Sequence, residues 1–147
     1  MRLLTERAQA MIEIWTNDEA EYHGQLVDFG PLQAWPKPVQ TPYPPVIVGG
    51  AGPTVEDRIL AFGDGWAPMI SGIEHDVFDR FTRLQDRTDR PLELTASGPN
   101  PDRATLARLR ERGAHRALVW LPQDPDGTIG DSDTERFLDD LTASIPD

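Results

Sequence analysis

The sequence contains no cysteine, and this absence excludes disulfide bonds, thiolate chemistry and cysteine-ligated zinc. Basic residues are scarce as well, since 14 Lys and Arg stand against 25 Asp and Glu, for a formal net charge of −11. This balance argues against binding nucleic acid or an anionic membrane through a general positive field. A local phosphate site made of backbone N–H groups stays possible, because such a site needs no net positive charge.

Long apolar runs are also missing. No stretch approaches the roughly 20 apolar residues of a membrane-spanning helix. The N-terminal stretch "MRLLTERAQAMIEIW" is interrupted by Glu6 and Arg7, so it does not have the pattern of a signal peptide. We therefore expect a cytoplasmic protein without membrane contact, and the length predicts a single domain over residues 1–147.

The sequence offers few residues for chemistry. Its three histidines, His23, His75 and His115, do not have the spacing of metal ligands, so we expect no metal site. It contains neither the Gly-x-Ser-x-Gly nor the Ser-x-x-Lys pattern of a serine nucleophile. The catalytic residues are therefore left unassigned.

Periodic patterns are plentiful by contrast. Apolar residues at helical spacing predict a helix over 3–16, with Leu4 and Met11 on its apolar face. The segment 20–45 is rich in proline, which forbids helix. We expect short hairpin-like strands around 25–35, followed by an extended lead-in.

From Val46 onward, short apolar runs alternate with helical patterns. The predicted strands cover 46–50, 65–70, 92–97 and 116–122, and the predicted helices cover 53–62, 74–87, 100–113 and 132–145. Such alternation predicts an α/β fold with about four parallel strands. A small doubly wound domain and a (β/α) barrel both satisfy the pattern. An eight-stranded barrel takes about 250 residues, and this chain has roughly half that length.

The boundaries of these helices are predicted from capping residues. The expected signals are Pro53 and Pro101 at first helical positions, Asn100 as an N-cap, Gly63 as a left-handed C-cap, Gly113 as a stop, and a Ser132–Glu135 capping box. The last helix is expected to bury its apolar side, which consists of Phe137, Leu138, Leu141 and Ile145.

The first of these strands ends in a glycine-rich loop, "GGAGPT", directly before a helix. Backbone N–H groups at Gly50 to Gly52 and at Thr54 and Val55, together with the positive end of the helix dipole, suit a phosphate. A tight strand-to-helix turn without a ligand explains the glycines at least as well. For Trp66, which follows in "GDGW", packing in the core is favoured over contact with a ring-shaped ligand.

Taken together in order and spacing, "WPKPVQ", "PPVIVGGAGP" and "FGDGWAPM" resemble the C-terminal half of the luciferase-like monooxygenases. The resemblance covers about residues 2–122 and is greatest to the branch that uses the deazaflavin coenzyme F-420. It implies a (β/α)8 TIM barrel that binds F-420, or FMN as the alternative, and exchanges a hydride with a small organic substrate. It also implies that the cofactor's phosphate-bearing tail contacts the loop residues Gly49, Gly50, Ala51, Gly52, Thr54 and Val55.

Members of this family begin with several strand–helix units that have no counterpart here. The resemblance therefore implies a partial barrel, which is a fragment, a truncated reading frame or one piece of a split protein, with weak or absent cofactor binding and no turnover on its own. Such a half needs the missing N-terminal half-barrel or self-association to cover its open edges. Two alternatives are a non-catalytic half-barrel that self-associates or binds a partner, and a compact α/β domain that binds a small phosphorylated ligand.

Overall fold

The computed structural model of the protein describes residues 2–70, 74–98, 102–121, 123, 128 and 130–145. Its helices and strands alternate along the chain after an N-terminal helix and hairpin. In chain order they are α1 (Arg2–Thr16), β1 (Ala20–His23), β2 (Asp28–Leu32), β3 (Ile47–Gly49), α2 (Val55–Phe62), β4 (Gly65–Ala67), α3 (Glu74–Gln85), β5 (Glu93–Ser97), α4 (Arg103–Glu111), β6 (Arg116–Leu118) and α5 (Asp131–Ser144).

Strands β3, β4, β5 and β6 form one parallel sheet in that order. This confirms the predicted α/β fold of four parallel strands alternating with helices. The order follows the chain without a reversal, whereas a doubly wound sheet reverses its order at a switch point. The sheet is therefore consistent with half of a barrel.

One face of this sheet forms the core. The register aligns Val48, Trp66 and Leu94 in one row, and all three are buried. Helices α2 and α3 cover the row with Ile59 and Val77, which are also buried. Because side chains alternate along a strand, the opposite face carries the other half of the strand residues.

Part of the opposite face is open, although Ser97 on it is buried. Met69 pairs with Ser97, and Ser97 is in register with Leu118, so these three residues form a row on that face. Met69 is 48% exposed and Leu118 is 49% exposed. Trp120, just beyond β6, is 61% exposed. Large apolar side chains thus meet solvent where a closed barrel would bury them.

Strand β6 is shorter than the predicted strand over 116–122. Its ladder with β5 ends at Leu118, and β6 has no strand on its other side in the described part of the chain. A strand with one neighbour has half the hydrogen-bonding partners that hold a central strand, which explains the early end.

Helix α5 forms as predicted, but the expectation that it buries its apolar side is wrong. Leu138 is 48% exposed and Ile145 is 56% exposed, while Phe137 and Leu141 are half-buried. Among the described elements, α5 packs mainly against α4, which leaves Leu138 and Ile145 exposed.

Several predicted helix ends are also wrong. Helix α2 begins at Val55, so Pro53 lies before it. The N-cap of α4 is Asp102, whose side chain accepts the Thr105 N–H at 2.9 Å, while the predicted cap Asn100 and Pro101 lie outside the described residues. Helix α5 starts one residue before Ser132, with Gly130 as N-cap, so the predicted cap position at Ser132 is wrong.

Two glycines at helix ends differ in their roles. Gly113 has a φ of +88° and ends α4, which confirms the predicted stop. Gly63, in contrast, is extended, with a φ of −84° and a ψ of 144°, so the predicted left-handed cap is wrong. A Cβ at Gly63 would lie 2.8 Å from Val48 Cγ2 and 2.9 Å from Ile59 Cα, which shows that a glycine is needed there for close packing.

The hairpin of β1 and β2 is antiparallel and begins at Ala20, earlier than the predicted range of 25–35. Its turn is anchored by Glu6 of α1, a buried side chain that accepts the N–H groups of Leu26 (2.7 Å) and Val27 (2.9 Å). These bonds, that from Leu26 first, hold the pKa of Glu6 below its ordinary value. Leu4, expected on the apolar face of this helix, is exposed instead.

The proline-rich segment after the hairpin contains neither helix nor strand, as predicted. It is held against α1 by Lys37, whose ammonium donates to Ile14 O at 2.7 Å and also to Asn17 O. Trp15 and Tyr43 stack with ring centroids 6.3 Å apart. Within the described residues, no helix has the length and apolar content needed to cross a bilayer.

Candidate functional site

The glycine-rich loop joins the carboxyl end of β3 to the start of α2. Gly49, Gly50, Ala51, Gly52 and Thr54 are all exposed, so the backbone of this loop is open to a ligand. Among the predicted site residues, Val55 differs, because its side chain is fully buried in the core. Val55 therefore anchors the loop.

Not every predicted donor is free. The Gly50 N–H donates to Ala67 O at 3.3 Å, and the Val55 N–H donates to Gly52 O at 3.1 Å. The N–H groups of Ala51, Gly52 and Thr54 have no acceptor among the residues that the structure describes. The loop thus presents three backbone N–H donors at a helix N-terminus, two before Pro53 and one after it.

The three glycines of the loop are not equivalent. Gly50 has a φ of +94°, which an L side chain rarely adopts, so glycine is required there by conformation. At Gly52 a Cβ would meet nothing within 4 Å, and at Gly49 the nearest atom would be Ala67 O at 4.0 Å. The fold does not require glycine at positions 49 and 52, and a side chain there would enter the open space above the loop.

Two side chains from later in the chain hold this loop. The indole N–H of Trp66 donates to Gly50 O at 2.6 Å, and Arg80 Nη1 donates to Ala51 O at 3.2 Å. The Arg80 guanidinium also lies 5.0 Å from the centroid of the Trp66 ring. The prediction that Trp66 packs in the core is confirmed, since it is fully buried. Its contact with the loop, and the whole role of Arg80, were not predicted from the sequence.

The electrostatics of the loop are mixed. The first turn of α2 carries Glu56 and Asp57, and negative charge there opposes an anion. Glu56 is paired, however, with Arg80 (Nε to Oε1, 3.2 Å) and with Arg87 (Nη1 to Oε2, 2.8 Å). The two guanidinium groups compensate the charge of Glu56, and with Asp57 counted the four side chains have no net charge.

Several clefts lie elsewhere in the described residues, and two of them border the sheet. One, of about 370 Å³, lies at the amino ends of the strands and is lined by Tyr43, Asp64 and His115 among others. Burial raises the pKa of the Tyr43 hydroxyl. Asp64 accepts the Val46 N–H at 2.8 Å, and His115 Nδ1 accepts the Leu94 N–H at 3.1 Å. These bonds join the amino ends of the strands, so the groups are structural.

A second cleft, of about 490 Å³, is mainly apolar and lies between α4, β6 and α5. It is lined by Leu109 and Leu141 among others. In the described part of the chain, no three His, Asp or Glu side chains are grouped as metal ligands.

No family model matches the chain. Uncharacterized proteins of Mycobacterium tuberculosis and Mycobacterium bovis are each 37% identical to it over 126 residues, which is 82% of this chain and 44% of each relative. An FMNH2-dependent dimethylsulfone monooxygenase of Pseudomonas putida is 30% identical over 77 residues, 50% of this chain and 21% of that protein. The chain spans less than half the length of the curated relatives it matches.

The match to the Pseudomonas putida protein supports the resemblance to luciferase-like monooxygenases in part, because that protein belongs to this family. Its short overlap makes this a weak and partial likeness. The matches leave the predicted site residues untested, and Gly49 to Val55 stay a prediction that rests on the geometry of the loop.

Proposed function

We propose that this chain is part of a flavin- or deazaflavin-dependent oxidoreductase, and that its glycine-rich loop holds the phosphate-bearing tail of the cofactor. The observation that carries the proposal is the set of exposed N–H groups of Ala51, Gly52 and Thr54 at the start of α2, for which the described residues offer no acceptor. Such donors at a helix N-terminus suit a phosphate. The flavin-dependent relative agrees with this chemistry.

The residues present fit the phosphate end of such a cofactor. Gly52 leaves open space where a side chain would stand, and the pairing of Glu56 with two arginines compensates one of the two carboxylates in the first turn of α2. FMN and F-420 both carry phosphate on the tail. The sequence motifs favour F-420, whereas the name of the Pseudomonas putida relative favours FMN. When bound, the ring exchanges a hydride with an organic substrate, and the role of this chain is to hold the tail.

The open face of the sheet supports a second part of the proposal. Strands β3 and β6 each have one free edge in the described residues, and Met69, Leu118 and Trp120 are exposed beside them. The relatives are more than twice as long as the matched region. We propose that a complementary half-barrel covers this face, and that cofactor binding is weak and turnover absent without it. Pairing of two copies is the alternative.

The test uses the Gly52→Ala variant, with Gly30→Ala as its matched control. A Cβ meets nothing within 4 Å at either glycine, and neither has a positive φ, so both variants are expected to fold as the parent does. NMR titration of the 147-residue chain with inorganic phosphate, FMN and F-420 should shift the amides of Ala51, Gly52 and Thr54. Gly52→Ala places a methyl group in the space proposed for the phosphate, so it should displace the anion from the loop amides and weaken this response about tenfold or more.

The titration also distinguishes a cofactor site from a site for small phosphorylated ligands. A response to FMN or F-420 that exceeds the response to phosphate supports a cofactor site and names the cofactor. If phosphate alone shifts the loop amides as much as FMN and F-420 do, the result favours the compact domain that binds a small phosphorylated ligand. If none of the three ligands shifts the loop amides, or if Gly52→Ala and Gly30→Ala behave alike, the proposed phosphate site is wrong.

A further inference from the structure

The carbonyl groups of Gly50 and Ala51 are each held by a side chain rather than by the backbone. Trp66 Nε1 binds the first and Arg80 Nη1 binds the second, and both side chains lie on the helix-covered side of the sheet. In a trans peptide, the C=O of one residue and the N–H of the next point in opposite directions. The bond from Trp66 therefore determines the direction of the Ala51 N–H, and the bond from Arg80 that of the Gly52 N–H.

Both amides consequently point away from the helix layer, toward the open side of the loop. These are two of the three donors for which the described residues offer no acceptor. The third, Thr54, lies in a turn closed by the Val55 N–H and Gly52 O, where Thr54 has a φ of −100° and a ψ of 7°. These angles match the third residue of a type I turn with Pro53 as the second. Thr54 is thus held by local geometry, whereas the Ala51 and Gly52 amides depend on distant side chains.

Without such contacts the Ala51–Gly52 peptide is free to rotate. Gly52 is exposed and has no Cβ, so it tolerates both signs of φ. A flip of this peptide would turn the Gly52 N–H toward the helix layer and present Ala51 O to the ligand. A carbonyl oxygen in that place repels phosphate, so the direction of this one peptide decides whether the loop attracts an anion.

We propose that Arg80 and Trp66 are positioning residues that lock the loop with its Ala51 and Gly52 amides outward. The value of this lock for phosphate rests on the proposed function. Arg80 serves two purposes at once, because its Nε pairs with Glu56 while its Nη1 holds Ala51 O. Stacking on Trp66 fixes the plane of the guanidinium. A lysine has one compact ammonium and cannot make this set of contacts.

The experiment compares Arg80→Met and Arg80→Lys with Arg83→Met. Arg83 is an exposed arginine on the same helix, α3, so its replacement removes the same charge without touching the loop. Trp66→Phe tests the other half of the lock, because it keeps a buried ring and removes the indole N–H. Melting temperatures identify any variant that loses its fold. Backbone order parameters of the loop are measured without ligand, and phosphate titrations follow.

In the parent and in Arg83→Met, we expect order parameters near 0.85 at Ala51 and Gly52, falling below about 0.6 in both Arg80 variants. Phosphate affinity should fall about tenfold in both, since one correctly aimed donor is lost. A loop as ordered in Arg80→Met as in the parent would overturn the inference. So would full rescue by Arg80→Lys, which would show that charge alone matters. A loop that loosens in the Arg80 variants while the parent ignores phosphate supports the lock and overturns the proposed function.

Discussion

The two faces of the four-stranded sheet differ although the same strands supply both. On one face Val48, Trp66 and Leu94 are buried beneath α2 and α3. On the other, Met69 and Leu118 are about half exposed. Both rows contain large apolar side chains, so composition does not separate them. Coverage by another layer, rather than strand character, therefore decides which apolar residues form the core.

The two faces also differ in how they are related to the glycine-rich loop. The helix-covered face supplies the side chains that hold the loop carbonyls, and the loop amides point to the open side. In barrels the ligand lies at the carboxyl ends of the strands. The loop and the exposed apolar row therefore border the same side of the sheet, which a complementary half would enclose.

The largest difference between the faces should appear when leucine is replaced by alanine on each. Leu94 is fully buried, so Leu94→Ala should lower the free energy of unfolding by about 2–5 kcal/mol. Leu118 is 49% exposed, and Leu118→Ala should change it by about 0.5 kcal/mol or less. Urea denaturation followed by circular dichroism measures both. Equal losses would mean that the open face is covered in solution.

A charged side chain on the open face tests whether two copies of the chain associate through it. If two copies pair through this face, Leu118→Glu should weaken their association about tenfold or more, because a buried carboxylate without a partner is costly. Leu26→Glu, at an exposed leucine of the hairpin turn, is the control and should leave association unchanged. Sedimentation velocity over a range of concentrations gives the result. A parent chain that is monomeric throughout would exclude self-pairing and leave the complementary half as the partner.

The smallest expected effect is the contribution of the Asp102 N-cap of α4 to the loss of stability at low pH. The hydrogen bond from the Thr105 N–H is the main cause that holds the pKa of Asp102 below its ordinary value of 3.8. A lowered folded pKa gives stability that is present above the unfolded pKa and lost as the pH falls through the folded pKa. Asp102→Asn keeps a good N-cap and removes this dependence.

Melting temperatures at pH 5 and pH 3 test this directly. The fall between the two should be slightly smaller in Asp102→Asn than in the parent. Asp139→Asn removes the same charge from an exposed position of α5 and should reproduce the parent's fall. A fall in Asp102→Asn as large as the parent's would show that the cap carboxylate does not contribute.

The position of the site in the chain was predictable from the sequence, but the hydrogen bonds of its backbone amides were not. The glycine pattern located the loop between β3 and α2, and its exposure agrees with a binding role. From the sequence, the N–H groups of Gly50 and Val55, which donate to backbone oxygens, could not be distinguished from the other loop N–H groups, which have no acceptor among the described residues. The acceptor for Gly50 is Ala67 O, on the neighbouring strand, so the pairing depends on sheet register.

Local sequence patterns were enough to predict the alternation of strands and helices and the glycine stop of α4. These features follow from local periodicity and backbone preference, which neighbouring residues carry. Only the tertiary structure decided that Leu138 and Ile145 stay exposed, and that Trp66 and Arg80 bind loop carbonyls 16 and 29 residues earlier. Such contacts arise from packing between distant elements, and no local pattern encodes them.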